Sequence, residues 1–132
     1  MLFFFNPEAE GVDPVAEAVV AIAADRNQYN FEVLGIGVGS STDKVRSFAA
    51  QKGFDFSVMD DSRGRITRKL NLRSPTTLLS IDSEGYLGDL AMTHFNTDVP
   101  NASKVIEDSV REKLRLPKNS EVPVGELNQN PR

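Results

Sequence analysis

Cysteine and tryptophan are both missing from the 132 residues, and His94 is the only histidine. Without a thiol there is no disulfide framework, no thiolate nucleophile and no thiolate metal site, and cysteine usage gives no clue to redox compartment. With a single histidine, a zinc site or a Ser-His-Asp arrangement lacks its partners, so His94 is expected at a strand end or on the surface and no metal or cofactor is assigned. No run approaches the roughly 20 apolar residues that cross a bilayer, and membrane insertion is not expected. Positive charge is also short. Fifteen Lys and Arg against 19 Asp and Glu leave a net charge of −4, which disfavours nucleic acid as a partner.

What is present reads as one domain over residues 1–116 followed by a polar tail, 117–132. The 39% of hydrophobic residues suffices for a real core at this length. Leu2-Phe3-Phe4-Phe5, closed by Asn6-Pro7, suits a strand buried on both faces. The run from Met1 is too short for a signal-peptide core and lacks a basic flank. Two accounts of this opening stand side by side: the protein starts in this strand, or a leader or anchor has been removed. The second would make it periplasmic or otherwise extracytoplasmic.

Asp13-Pro14 suits a helix opening, Asp as cap and Pro at the first helical position, and Val15, Val19, Ile22 and Ala23 continue it over about 14–27. Glu32 to Val38 reads as a second buried strand. Ser41 or Thr42 can cap a helix over about 43–52, ended by Gly53. Phe54 to Met59 is expected as a short strand, with Asp60-Asp61-Ser62 turning the chain into a helix near 63–70 packed through Ile66 and Leu70. Thr76–Ile81 and Tyr86–Met92 are expected as strands joined by a tight turn at Gly85. Asn101 is expected to cap a helix over about 102–115 with Val105, Ile106, Val110 and Leu114 inward. The tail is expected to dock partly through Val122 and Val124. The order β-α-β-α-β-α-β-β-α predicts an α/β fold with a mixed central sheet, parallel among the early strands through right-handed crossovers and antiparallel in the last hairpin.

Several local patterns suggest chemistry and mostly have plainer readings. Gly35-x-Gly37-x-Gly39-Ser40-Ser41 sits where a phosphate loop would, but the spacing fits neither a dinucleotide fingerprint nor a P-loop. Asp60-Asp61-Ser62-Arg63-Gly64 resembles part of a calcium loop, yet Met59 would be its first ligand and the bidentate Glu is missing. Glu8, Glu10 and Asp13 can supply a general base, with no nucleophile identified beside them. Arg63, Arg65, Arg68, Lys69 and Arg73 gather before Pro75, either as a solvated helix face or as a patch that docks an acidic partner.

Ser74-Pro75-Thr76-Thr77 running into an apolar strand and then Asp82-x-x-Gly85 resembles the cis-proline segment of the thioredoxin-like superfamily. Together with Leu2–Phe5, Val33-Leu34-Gly35-Ile36, the helix end Phe48–Phe54 and the Asp60-Asp61 turn, it is similar to the branch holding the peroxiredoxins and the TlpA-like reductases. This resemblance covers roughly residues 2–92. It implies a thioredoxin-like fold with an extra α-β unit at about Asp43 to Met59. It also implies a cis bond at Ser74-Pro75, against about 5% for an ordinary X–Pro bond.

The family's redox loop falls on Asn6 to Asp13. An ungapped match to the peroxiredoxin pattern puts Asp13 at the peroxidatic cysteine and Glu10 at its threonine partner, whereas a match made on Pro14 to the reductases puts Asn6 and Ala9 at the two cysteines. Either register loses the nucleophile, because a carboxylate at a helix start cannot form a mixed disulfide. The resemblance leaves a redox-inactive binding or assembly module for protein or extended peptide, contacted through Arg73, Ser74, Pro75 and Thr76 by strand addition. Some conjugation and secretion assembly proteins that lack the cysteine pair resemble this pattern too. The enzyme alternative is a thiol-disulfide oxidoreductase or peroxiredoxin-like protein whose cysteines lie beyond this chain or were substituted in it. Chaperone-like peptide binding is the third reading. Oligomeric state is not legible.

Overall fold

Three consecutive phenylalanines at the centre of a sheet must divide between its two faces, and that division organises the molecule. The structure, a computed structural model describing residues 1–118, has β1 (Leu2–Phe5), α1 (Val12–Ala23), β2 (Leu34–Val38), α2 (Thr42–Lys52), β3 (Ser57–Asp61), α3 (Arg65–Lys69), β4 (Thr77–Ile81), β5 (Leu87–Met92) and α4 (Ala102–Leu114). The five strands form one sheet in the order β3-β2-β1-β4-β5. β1 pairs parallel with β2, and β2 with β3. β4 pairs antiparallel with both β1 and β5. The expected order and mixed pairing are both present.

Because strand side chains alternate, Phe3 and Phe5 enter one core with residues of α1, α2 and α4. Phe4 joins Ile36, Val38 and Leu79 on the other face, where Ile66 of α3 and Leu72 pack. All three rings are fully buried. Phe5 lies 5.5 Å from Phe48 and meets Phe54 edge-on at 5.6 Å, so the larger core holds an aromatic cluster rather than an aliphatic layer. Two glycines let α2 and β3 close on it. A Cβ on Gly37 would stand 2.5 Å from a Val45 methyl, and one on Gly35 would touch Phe5, Phe56 and Val58. Gly35 and Gly37 are therefore packing positions.

Several expectations change. α1 begins before Asp13: Gly11 takes φ 79° at the cap, the Val12 amide bonds to the Ala9 carbonyl, and Asp13 falls in the first turn, where a carboxylate still meets the helix dipole favourably. β3 starts at Ser57, so Asp60 and Asp61 belong to the strand instead of the turn after it. Leu70 is the C-cap residue of a five-residue helix and is 45% exposed, while Leu72 takes the core position. Asn101 caps α4 only through its left-handed backbone. Val105 is 48% exposed because the inward stripe runs Ala102, Ile106, Val110 and Leu114.

Beside that stripe lie Glu107 and Arg111, both buried. Arg111 reaches Glu107 Oε2 at 2.8 Å, Asp25 Oδ2 at 2.8 Å, the Pro117 carbonyl at 3.2 Å and the Ala21 carbonyl at 3.4 Å. It ties α4 and the chain after it to the end of α1. Burial alone would lower the guanidinium pKa; the bonds and charges of Asp25 and Glu107 outweigh that and raise it. The expected docking of Val122 and Val124 lies outside the described residues.

Candidate binding face at the proline loop

β1 runs toward the rim from which β4 departs, in the register Phe4 opposite Thr77. Two residues further, that register sets Asn6 opposite Pro75. Both line an open cleft of about 380 Å³ with Gly39, Arg63, Arg73 and Ser74. The sheet thus brings the start of the expected redox loop to the proline loop.

Asn6 organises its own turn. Its Oδ1 accepts the Glu8 amide at 2.9 Å and its carbonyl accepts the Ala9 amide at 3.0 Å, which is the Asx-turn habit of asparagine. Ala9 then packs against the larger core. Glu8 pairs with Lys44 at 2.6 Å, and Asp13 with Lys52 at 3.0 Å. Glu10 points to solvent. Of the four positions matching the redox loop, only Asn6 lines the cleft with Pro75, while Ala9, Glu10 and Asp13 stand along the exit into α1.

Across the cleft, the Ser74 hydroxyl lies 2.9 Å from the Thr76 carbonyl and 3.1 Å from the Thr93 carbonyl, and accepts the Thr76 amide at 3.3 Å. This side chain staples the loop to the end of β5. Thr76 itself is buried, whereas Arg73 and Pro75 are exposed. No cis peptide bond occurs among the described residues, so Ser74-Pro75 is trans, contrary to the cis bond implied by resemblance. The local physics favours trans by about 0.5–1 kcal/mol for any X–Pro pair. Among the described residues no hydrogen bond engages the Ser74 amide or carbonyl, or the Pro75 carbonyl.

The remaining candidates also find their places. Asp61, buried, accepts the Ile66 and Thr67 amides at 3.1 to 3.2 Å, so it caps α3 from the end of β3. Asp60 accepts the Thr42 hydroxyl. His94 is exposed two residues past β5, its Nδ1 3.0 Å from Thr93 Oγ1, and it lines a neighbouring cleft of about 520 Å³ with Arg73 and Ser74. Sequence reasoning did not single out Gly39 or Thr93 as neighbours of the proline loop. The Gly39 signal was available: at φ 66° it ends β2 at the same rim, and its Cβ position lies 3.0 Å from Asn6 Nδ2.

With a strand-end proline loop facing the β1–α1 turn across a β-α-β-α-β-α-β-β-α sheet, the architecture is a thioredoxin-like fold without cysteine. No protein-family model matches the sequence, and no curated protein matches it. Solved structures do. A secreted Mycobacterium tuberculosis disulfide oxidoreductase homologous to E. coli DsbE superposes with TM-score 0.70 at 15% identity, over 86% of this chain and 78% of that one. A proposed thiol:disulfide interchange protein DsbE from Chlorobium tepidum gives 0.69 at 20% identity, over 86% and 77%. The peroxidoxin BcpB from Mycobacterium tuberculosis gives 0.63 at 17%, over 86% and 76%. The fold is thus shared with thiol oxidoreductases and a peroxidoxin.

Proposed function

We propose that this chain is a redox-inactive thioredoxin-like domain that serves as a protein- or peptide-binding or assembly module. One observation carries the reading: in a chain without any thiol, the main chain at Ser74-Pro75 is left unengaged at the edge of an open cleft shared with Asn6. A free amide and carbonyl beside an exposed proline suit an extended segment that adds to the rim by backbone hydrogen bonds, an interaction that needs no sulfur. The described residues contain no helix long and apolar enough to cross a membrane. The division into a domain at 1–116 and a tail from 117 is part of this proposal; Leu116 and Pro117 bond back to Arg111.

The test is a titration of the chain with unfolded peptides, followed residue by residue through backbone amide chemical shifts. Shifts concentrated at Asn6, Arg73, Ser74 and Thr76 are expected. Indifference of that face to peptides and to candidate partners would sink the reading. The solved neighbours favour one alternative, an oxidoreductase whose cysteines lie beyond this chain or were replaced in it. A natural sequence carrying cysteine upstream, or at Asn6, Ala9 or Asp13, would favour the alternative, and a thiol-independent peroxidase or insulin-reduction signal from this polypeptide would count against the binding reading.

A further inference from the structure

Three open clefts meet along the rim that bears Ser74 and Pro75, and arginines stand between them. Arg63 lines both the Pro75 cleft and a second of about 290 Å³ that also holds Arg65. Arg73 lines both the Pro75 cleft and the third, with His94. The three clefts adjoin through these shared walls, and the groove they make along the rim carries Arg65, Arg63 and Arg73.

These cations are unmatched. Elsewhere on this acidic chain most described lysines and arginines find carboxylates, as Lys44 does with Glu8, Lys52 with Asp13 and Arg26 with Asp55, Arg46 and Lys113 being the isolated exceptions. Arg63, Arg65 and Arg73 form no ion pair among the described residues, and neither do Arg68 and Lys69, which share α3 with Arg65. The carboxylates nearest them in the groove are Asp60 and Asp61. Both are turned to internal donors, the Thr42 hydroxyl and the α3 amides. The groove therefore carries three arginines against two carboxylates, an excess of positive charge with no direct ion pair among the described residues, beside main-chain groups with no internal partner there.

We propose that this groove recognises an extended, Asp- and Glu-rich segment of a partner protein, its backbone meeting Ser74 and its carboxylates reaching Arg63, Arg65 and Arg73. The proposal rests on the peptide-binding reading above and names its chemistry. A short acidic segment feels the local arginines, whereas a long polyanion such as nucleic acid also feels the net charge of −4 over the whole chain.

The test measures fluorescence polarisation of the whole chain with two labelled extended peptides, identical except that one carries Glu where the other carries Gln. A labelled single-stranded DNA is the third probe. Each exposed pair contributes modestly, so three together are expected to make the Glu peptide bind about tenfold tighter. The preference should shrink as salt rises. It should vanish in the double variant Arg63→Glu with Arg73→Glu, shrink to about twofold in its milder form with Gln at both positions, where Arg65 alone remains, and persist in Lys113→Glu, a change that touches none of the three clefts. Equal affinity for the two peptides would overturn the acidic preference while leaving peptide binding standing. No binding of either would overturn both readings, and DNA binding as tight as the Glu peptide would overturn the commitment to a polypeptide.

Discussion

Single side chains decide how the rim is held. Asn6 closes its turn, Ser74 fastens the proline loop to the Thr93 carbonyl, and Asp61 caps the short helix that carries Arg65, Arg68 and Lys69. Ser74→Ala removes both the staple to β5 and the acceptor for the Thr76 amide, and is expected to destabilise the fold by about 1 kcal/mol in urea unfolding. Thr77 behaves in the opposite sense. It is fully buried beside Phe4, and its hydroxyl has no hydrogen-bond partner among the described residues. Thr77→Val keeps the shape and removes a desolvated oxygen, so a stability gain of about 1 kcal/mol is expected by the same measurement. A loss would mean that the hydroxyl is satisfied after all.

At the scale of elements, stability depends on close approach and on one buried charge network. Gly37→Ala drives a methyl into Val45 on α2, and overpacking of this kind costs about 1–3 kcal/mol. A lowered urea midpoint with an unchanged slope is the expected reading. Arg111→Ala removes the guanidinium that joins α4 to the end of α1. Breaking a buried ion pair typically costs about 3–5 kcal/mol, and the lower end applies because Asp25 is partly open to solvent. Thermal unfolding should show a clear drop in midpoint.

Elements with strong apolar periodicity were legible from the chain alone, which is why their order and pairing were anticipated. β3 was misplaced because Phe54 and Phe56 look like strand residues. They are instead the stacked aromatic pair that anchors the chain to the core before the strand begins. An edge strand with one exposed face carries little apolar signal of its own. Glu107 and Arg111 escaped notice because an i, i+4 charge pair on a helix ordinarily faces water. The site was half legible: the resemblance located the proline loop and the turn opposite it. It also implied a cis bond, which no spacing of residues can fix and which this loop does not have.

For the molecule as a whole, the sheet supplies the meeting of the two loops and the composition removes the chemistry usually found there. No thiol-dependent reduction of insulin is expected from the purified chain under dithiothreitol turnover, whatever its concentration. The scaffold should nonetheless accept a bridge. Residues that close a hydrogen-bonded four-residue turn stand within about 7 Å, within reach of disulfide geometry. Asn6→Cys combined with Ala9→Cys is therefore expected to form an intramolecular disulfide, seen as the loss of two titratable thiols on oxidation. Two free thiols persisting under oxidant would show that the turn is more open than its hydrogen bond implies.

The central position of Leu2–Phe5 also has a kinetic consequence. Of the five strands it is the earliest in the chain, and it pairs on one side with Leu34–Val38 and on the other with Thr77–Ile81, so its three phenylalanines stay unsheltered during synthesis until most of the sheet has left the ribosome. Such a topology folds late and all at once. Chains truncated before the fourth strand should associate with holdase chaperones, while the completed polypeptide should release them.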